Sequence, residues 1–384
     1  MKTIGPHRIS FTLPYLFVFA FLFYITSCSK DASILTEQED AVSEDTEEMN
    51  DDSSNDDTSN DNSSDTMDIP PTGAVVFNQD FTLDATRSVA NYVLPQSDYN
   101  LFLEGEGNLK QVSEKAYQYF KDDFDYIIIL SVEAVKPPDL FFGRSTLVQN
   151  QVQGLGSNTY DNSATYGSEG KLKSIIYMPR TEYIKSGPFL HEIAHSWGNK
   201  GIIPTTVGGH WGYASVAGQL GGFDEIEDLG NNTYQGKLNG QNGFGAFANG
   251  GNSVIYGDLE LYAMGLIGAD ELEPIQVAVN PEGTQAYGQF TADAIGIYTA
   301  QDLINEHGAR VPSTADSQKV FKALTIVIST EAISQEKMDE VTSNLDNFSR
   351  QAAPDASWGS TKNFWLATKE KATFDFTVTQ GNIK

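Results

Sequence analysis

The sequence predicts an α+β protein. Two apolar, β-branched runs, 126–132 and 172–178, have the length and composition of covered strands. Patterns of helical period at 108–124 and 187–199 stand beside them, so strand and helix alternate without a repeat. The last third, 271–384, carries further helix and strand patterns and reads as an α/β extension, either a separate lobe or a continuation of the same domain. The roughly 310 residues from Pro71 to Lys384 are enough to bury a core without disulfides.

Taken in order, residues 1–27 read as an export signal. Lys2 and Arg8 supply the positive end, and the apolar run 11–25 is short for a membrane span, which needs about 20 residues. Ile25-Thr26-Ser27-Cys28 resembles the lipobox of bacterial lipoproteins, and Cys28 is the only cysteine in the chain, so lipid attachment accounts for it. Residues 28–70 form an acidic linker with almost nothing apolar to bury. From residue 29 onward it holds 15 acidic residues against the one base Lys30, half of the net charge of −28. The acidity of the chain therefore says little about its folded part. A flexible linker of this length reaches roughly 35 Å, enough to hold that part clear of a lipid surface. An acidic run soon after a lipidated cysteine resembles the export signal of surface lipoproteins in Bacteroidetes-type bacteria, which implies an outer-membrane lipoprotein facing the cell surface or the periplasm. Net negative charge without a basic cluster argues against nucleic acid as a partner.

Within the folded part, Val112, Ala116, Tyr119 and Phe120 share one stripe of the helix expected at 108–124. The Gly, Asn and Ser content of 143–170 predicts long loops, and the same composition at 229–257 predicts an irregular surface excursion. A helix is expected at 258–267, a short helix at 299–307, a strand at 323–329, an amphipathic helix at 334–350 and a final strand at 372–379. His307 precedes Gly308 at a helix end, where a histidine interacts well with the helix dipole.

The chemistry is concentrated in residues 187–199. His191 and His195 stand four apart with Glu192 directly after the first, so one helix face presents both imidazoles to a single ion. Two such histidines and a glutamate make the helix pattern of zinc hydrolases, with the Glu as general base. Ser186 and Gly187 suit the helix start, Pro188 a first helical position and Gly198 the exit, leaving Leu190, Ala194 and Trp197 to pack inward. Catalytic zinc usually takes three protein ligands and keeps one open position. His210, in Gly208-Gly209-His210-Trp211-Gly212, is the first choice for the third. Glu260 is the alternative, and Asp224, Glu225, Glu227 and Asp258 follow. The acidic group 224–228 is also a weak calcium candidate, without a definite ligand spacing.

His191, Glu192 and His195 match the signature of the zincin metallopeptidases, and the chain resembles that superfamily. Gly198 falls where the metzincin branch has its turn glycine, but Gly201 stands where that branch places its third His or Asp. Tyr262-Ala263-Met264-Gly265 is similar to the metzincin Met-turn. The thermolysin-like branch takes a downstream helical glutamate, a role open to Glu260. The resemblance covers about a dozen residues well and the next 70 loosely. It implies a zincin-like core, a mixed sheet with an active-site helix, over residues 71–270, one zinc ion per chain, and strand 172–178 lying along a substrate cleft. It also implies a zinc-dependent peptidase acting on protein or peptide outside the cytoplasm, with Glu192 as general base and Tyr213, Tyr256 or Tyr262 as a donor to the oxyanion. Two other functions remain open: hydrolysis of a non-peptide amide in cell-wall or glycan material, and non-catalytic binding by a surface lipoprotein.

Overall fold

The computed structural model describes residues 73–198 and 201–384. The expected export signal, Cys28 and the expected acidic linker lie outside the described residues. At the centre is β4 (Tyr126–Leu130), five consecutive buried residues with three adjacent isoleucines. It pairs in parallel with β8 (Ser174–Met178) on one side and with β16 (Val320–Ser329) on the other. Beyond β16 the sheet continues through parallel β3 (Val89–Val93) to antiparallel β2 (Phe81–Leu83) and β1 (Val75–Asn78). Beyond β8 it closes with antiparallel β5 (Arg144–Leu147), while short β17 (Thr373–Asp375) runs parallel to the start of β16. The order is β1-β2-β3-β16-β4-β8-β5. Because β16 lies between β3 and β4, the last third of the chain completes the same sheet as the first.

Alternation along the strands divides the core into two layers. Tyr126, Ile128 and Leu130 face one way, as do Ile176 and Met178, whereas Ile127, Ile129, Ile175 and Tyr177 face the other. The second face is covered by α1 (Gln96–Leu103) and α2 (Leu109–Tyr119). The first carries residues of α3 (Tyr183–Ser186), α4 (Phe189–Gly198), α5 (Asp258–Met264), α6 (Ala300–His307), α7 (Gln335–Ser349) and α8 (Phe364–Ala367). Side-chain caps set several boundaries. Asn108, Thr299 and Ser334 each accept a backbone N–H from the first turn of α2, α6 and α7.

Several expectations are corrected. Strand β8, within the run read as a cleft strand, is interior, flanked by β4 and β5. The sheet edge beside α4 is β5, in a stretch read as loop because Arg-Ser-Thr-Leu is too short and polar to show a strand period. The expected excursion at 229–257 contains a hairpin. Strands β9 (Glu225–Gly230) and β10 (Thr233–Leu238) are joined through Asn231 and Asn232, both with positive φ, so the asparagines supply a tight turn. With β11 (Gln241–Asn242), β13 (Glu282–Gly283) and β14 (Gln289–Thr291) the hairpin forms a second, antiparallel sheet over Phe223, Phe244 and Phe290. Strands β12 (Ile275–Val279) and β15 (Ala294–Tyr298) pair separately, as do β6 (Gln149–Asn150) and β7 (Tyr160–Asp161). Finally, α2 stops at Tyr119, five residues short of the expected end, and Phe120 continues in extended conformation.

The motif helix is anchored by aromatic packing from the last third of the chain. Phe189, its first residue, meets Phe348 of α7 at 4.6 Å between ring centroids, and Phe374 and Phe376 complete the cluster. Truncating a buried aromatic leaves a cavity costing about 3–5 kcal/mol. Phe348→Ala should therefore lower the unfolding free energy by that amount in denaturant titration. A loss below about 1 kcal/mol would show that this cluster does not anchor the helix.

Candidate metal centre

Helix α4 presents His191 and His195 from successive turns, as the four-residue spacing requires, and both are buried. Pro188 stands just before the first helical residue, and its carbonyl accepts from the Glu192 N–H at 2.8 Å. The start of α4 is capped from a distance: Asn252 Oδ1 accepts from Leu190 N at 2.8 Å, and Asn252 Nδ2 donates to the carbonyls of Ile184 and Lys185. This buried asparagine thus ties α3, α4 and the turn at 251–253 together.

His210 arrives on a tight turn through Gly208 and Gly209, closed by reciprocal backbone bonds between Val207 and His210. Its ring lies 5.3 Å from that of His191 and 4.9 Å from that of His195, with Phe247 at its edge. One nitrogen of each of the three imidazoles falls within 4.8 Å of the others, and all three residues are buried. Among the described residues this is the only group of three or more His, Cys, Asp or Glu side chains able to hold a metal ion.

The tautomer of His191 follows from its partner. Nδ1 lies 2.8 Å from the Gln219 carbonyl oxygen, which can only accept, so Nδ1 carries the proton and Nε2 presents a lone pair to the cluster. Burial, reinforced by the neighbouring His210, pushes the His191 pKa down to about 3. Burial also holds His210 below the ordinary histidine range, against the opposing pull of the Val207 and Gly208 backbone. Neutral imidazole is the form that binds a metal. His195 Nε2 stands 3.1 Å from His191 Nε2. A cation among the three rings would satisfy converging lone pairs together, and an all-imidazole donor set suits zinc, copper, iron or nickel.

Glu192 faces away from solvent beside the edge strand. Its carboxylate packs so closely on Gly143 that a Cβ there would come within 2.7 Å of Oε1, and the Ser145 backbone N–H is a partner. Oε2 is buried without a hydrogen-bond partner. Burial pushes the Glu192 pKa up to about 8, against the pull of that N–H and of Arg144.

The other candidates lie elsewhere. Glu260 does not join the histidines, because both of its oxygens are occupied by N–H donors. Asp258 pairs with Lys369, and Glu227 pairs with Lys237 on the exposed hairpin. Asp224 and Asp228 accept backbone N–H groups, Glu225 is exposed on β9, and the run 224–228 brings no three carboxylates together. The Tyr256 hydroxyl donates to the Leu190 carbonyl at 2.8 Å, Tyr213 packs on Phe244 and Phe290, and Tyr262 lies by Arg310. None of these contacts involves a cluster histidine. Met264 is part of the main core, and His307 Nε2 meets the Ile202 carbonyl. Sequence reasoning missed Gly143, Ser145, Gln219 and Asn252, whose roles depend on contacts distant along the chain.

In comparisons with known proteins, no family model, curated protein or solved structure matches this chain.

His210→Ala should abolish stoichiometric metal binding, read by elemental analysis, while the protein still melts cooperatively. Asn252→Ala removes the acceptor for Leu190 N and should cost about 1–3 kcal/mol in chemical denaturation. A neutral Asn252→Ala variant would show that α4 does not depend on this distant cap.

Proposed function

We propose that the protein is a zinc-dependent peptidase, exported and anchored in the outer membrane through a lipid on Cys28. The observation that carries this reading is the pairing of three buried, converging imidazoles with a carboxylate one residue beyond the first, one of whose oxygens is buried and unpartnered. A structural site needs no such base. Zinc held by His191, His195 and His210 would supply a Lewis acid for a substrate carbonyl and lower the pKa of a water toward ~7.

The remaining work falls to the chain. Glu192 takes a proton from the attacking water and returns it to the leaving amine; Oε2 is the free oxygen for this exchange, and Gly143 with the Ser145 N–H fixes the other side of the carboxylate. The hydrogen bond from His191 to Gln219 keeps that ring in its binding tautomer. Strand β5 is a sheet edge packed beside α4, and an extended peptide can be held by adding to such an edge. This favours peptide over a compact non-peptide amide as substrate.

Glu192→Gln should retain about one zinc per chain while turnover falls by ~10²–10⁴-fold, the usual contribution of a positioned proton-transfer group. Zinc content and peptide-library cleavage measured on one preparation would check this. Undiminished cleavage by the variant would remove Glu192 from the mechanism, and zinc-loaded wild type that cleaves no peptide would favour the non-peptide substrate.

A further inference from the structure

Glu260 is a buried carboxylate whose hydrogen-bond donors all come from around the metal centre and the start of α5, and the proposed chemistry does not use it. It is buried, with four donors aimed at its two oxygens. Oε1 accepts from Trp211 Nε1 at 2.9 Å and Leu220 N at 2.8 Å, and Oε2 accepts from Gln219 N at 3.0 Å and Gly257 N at 2.9 Å. Only the ionised carboxylate can accept from all four, since a protonated carboxyl turns one acceptor position into a donor.

The donors show what the carboxylate holds. Gly218 and Gly221 close a tight turn with reciprocal backbone bonds, leaving Gln219 and Leu220 at its tip. Inside a protein those two tip N–H groups would have no partner, and Glu260 takes both. The approach is so close that a Cβ on Gly218 would meet Oε2 at 2.2 Å. On its other side, Gln219 presents the carbonyl that orients His191. Trp211 is the residue after His210, and its backbone N–H bonds the Leu220 carbonyl. One carboxylate therefore spans the segment that delivers His210 and the turn that fixes the tautomer of His191, and secures both to the start of α5.

We propose that Glu260 is a positioning residue of the metal centre, its carboxylate clamping the 211–220 segment so that His210 and the Gln219 carbonyl hold the three imidazoles in their metal-binding arrangement. The proposal rests on the reading that these histidines hold a metal. It predicts that Glu260 governs metal affinity from outside the cluster, as groups that orient metal ligands do, commonly by 10–100-fold.

The test titrates Co²⁺ into metal-free wild-type, Glu260→Gln and Trp211→Phe proteins, following the visible absorption bands of the bound ion well below each melting temperature. Val341→Ala, which truncates a buried residue of α7, serves as a destabilised control. Glu260→Gln should bind Co²⁺ 10–100-fold more weakly than wild type with altered bands, while the control keeps wild-type affinity and spectrum. Trp211→Phe removes one of the four donors and should weaken binding several-fold; it carries the test alone if Glu260→Gln does not fold. Wild-type affinity and bands in a folded Glu260→Gln protein, or in Trp211→Phe if only that variant folds, would overturn the clamp while leaving the metal centre intact. Failure of wild type to bind Co²⁺ or zinc would instead overturn the metal-centre reading, and the clamp with it.

Discussion

The bond from His191 Nδ1 to the Gln219 carbonyl, 2.8 Å long and fully enclosed, is the interaction on which the arrangement of the site depends. It joins the motif helix to a turn 28 residues further along the chain. It also settles which nitrogen of His191 is free, so a backbone carbonyl becomes part of a side-chain site. The surrounding structure can be understood as the means of keeping that carbonyl in place. Glu260 holds the turn by its N–H groups, and the Gln219 amide donates to the carbonyls of Gly251 and Val254. Asn252, in the same short segment, caps the motif helix. Helix and turn are thus fastened to a common support, and neither can shift without breaking bonds that water cannot replace in the interior.

Burial gives the site its chemistry. Low polarity favours the neutral form of His191 and His210 and raises the proton affinity of Glu192. Both effects have a cost in stability, because each ionisable group is taken out of water. The parallel centre of the main sheet and the aromatic cluster around Phe348 supply packing on which such a site can be built. Strand β16, from the last third of the chain, is integral to that sheet, which explains how residues without any chemical motif contribute to the centre.

Legibility in the sequence followed the range of the interactions. The helical spacing of His191, Glu192 and His195 is local, and the isoleucine runs of β4 and β8 carry their own signature. Residue type and proximity point to His210 as third ligand, and its ring does lie with the other two. Glu260 is the alternative ligand in the sequence because a carboxylate from a second helix is the other common way of completing such a site; only its four donors show that it is occupied otherwise. Asn252 binds a helix 62 residues earlier and gave no local signal. Strand β5 was hidden for a related reason: an edge strand of four residues needs only one partner and shows no apolar alternation.

The central claim is that His191, His195 and His210 together hold one metal ion, and X-ray absorption spectroscopy of the zinc-reconstituted protein tests it most directly. The account predicts one zinc per chain with three imidazole nitrogens at ~2.0–2.1 Å and a remaining light-atom ligand. A zinc environment dominated by carboxylate oxygen, or no stoichiometric zinc after reconstitution, would contradict it.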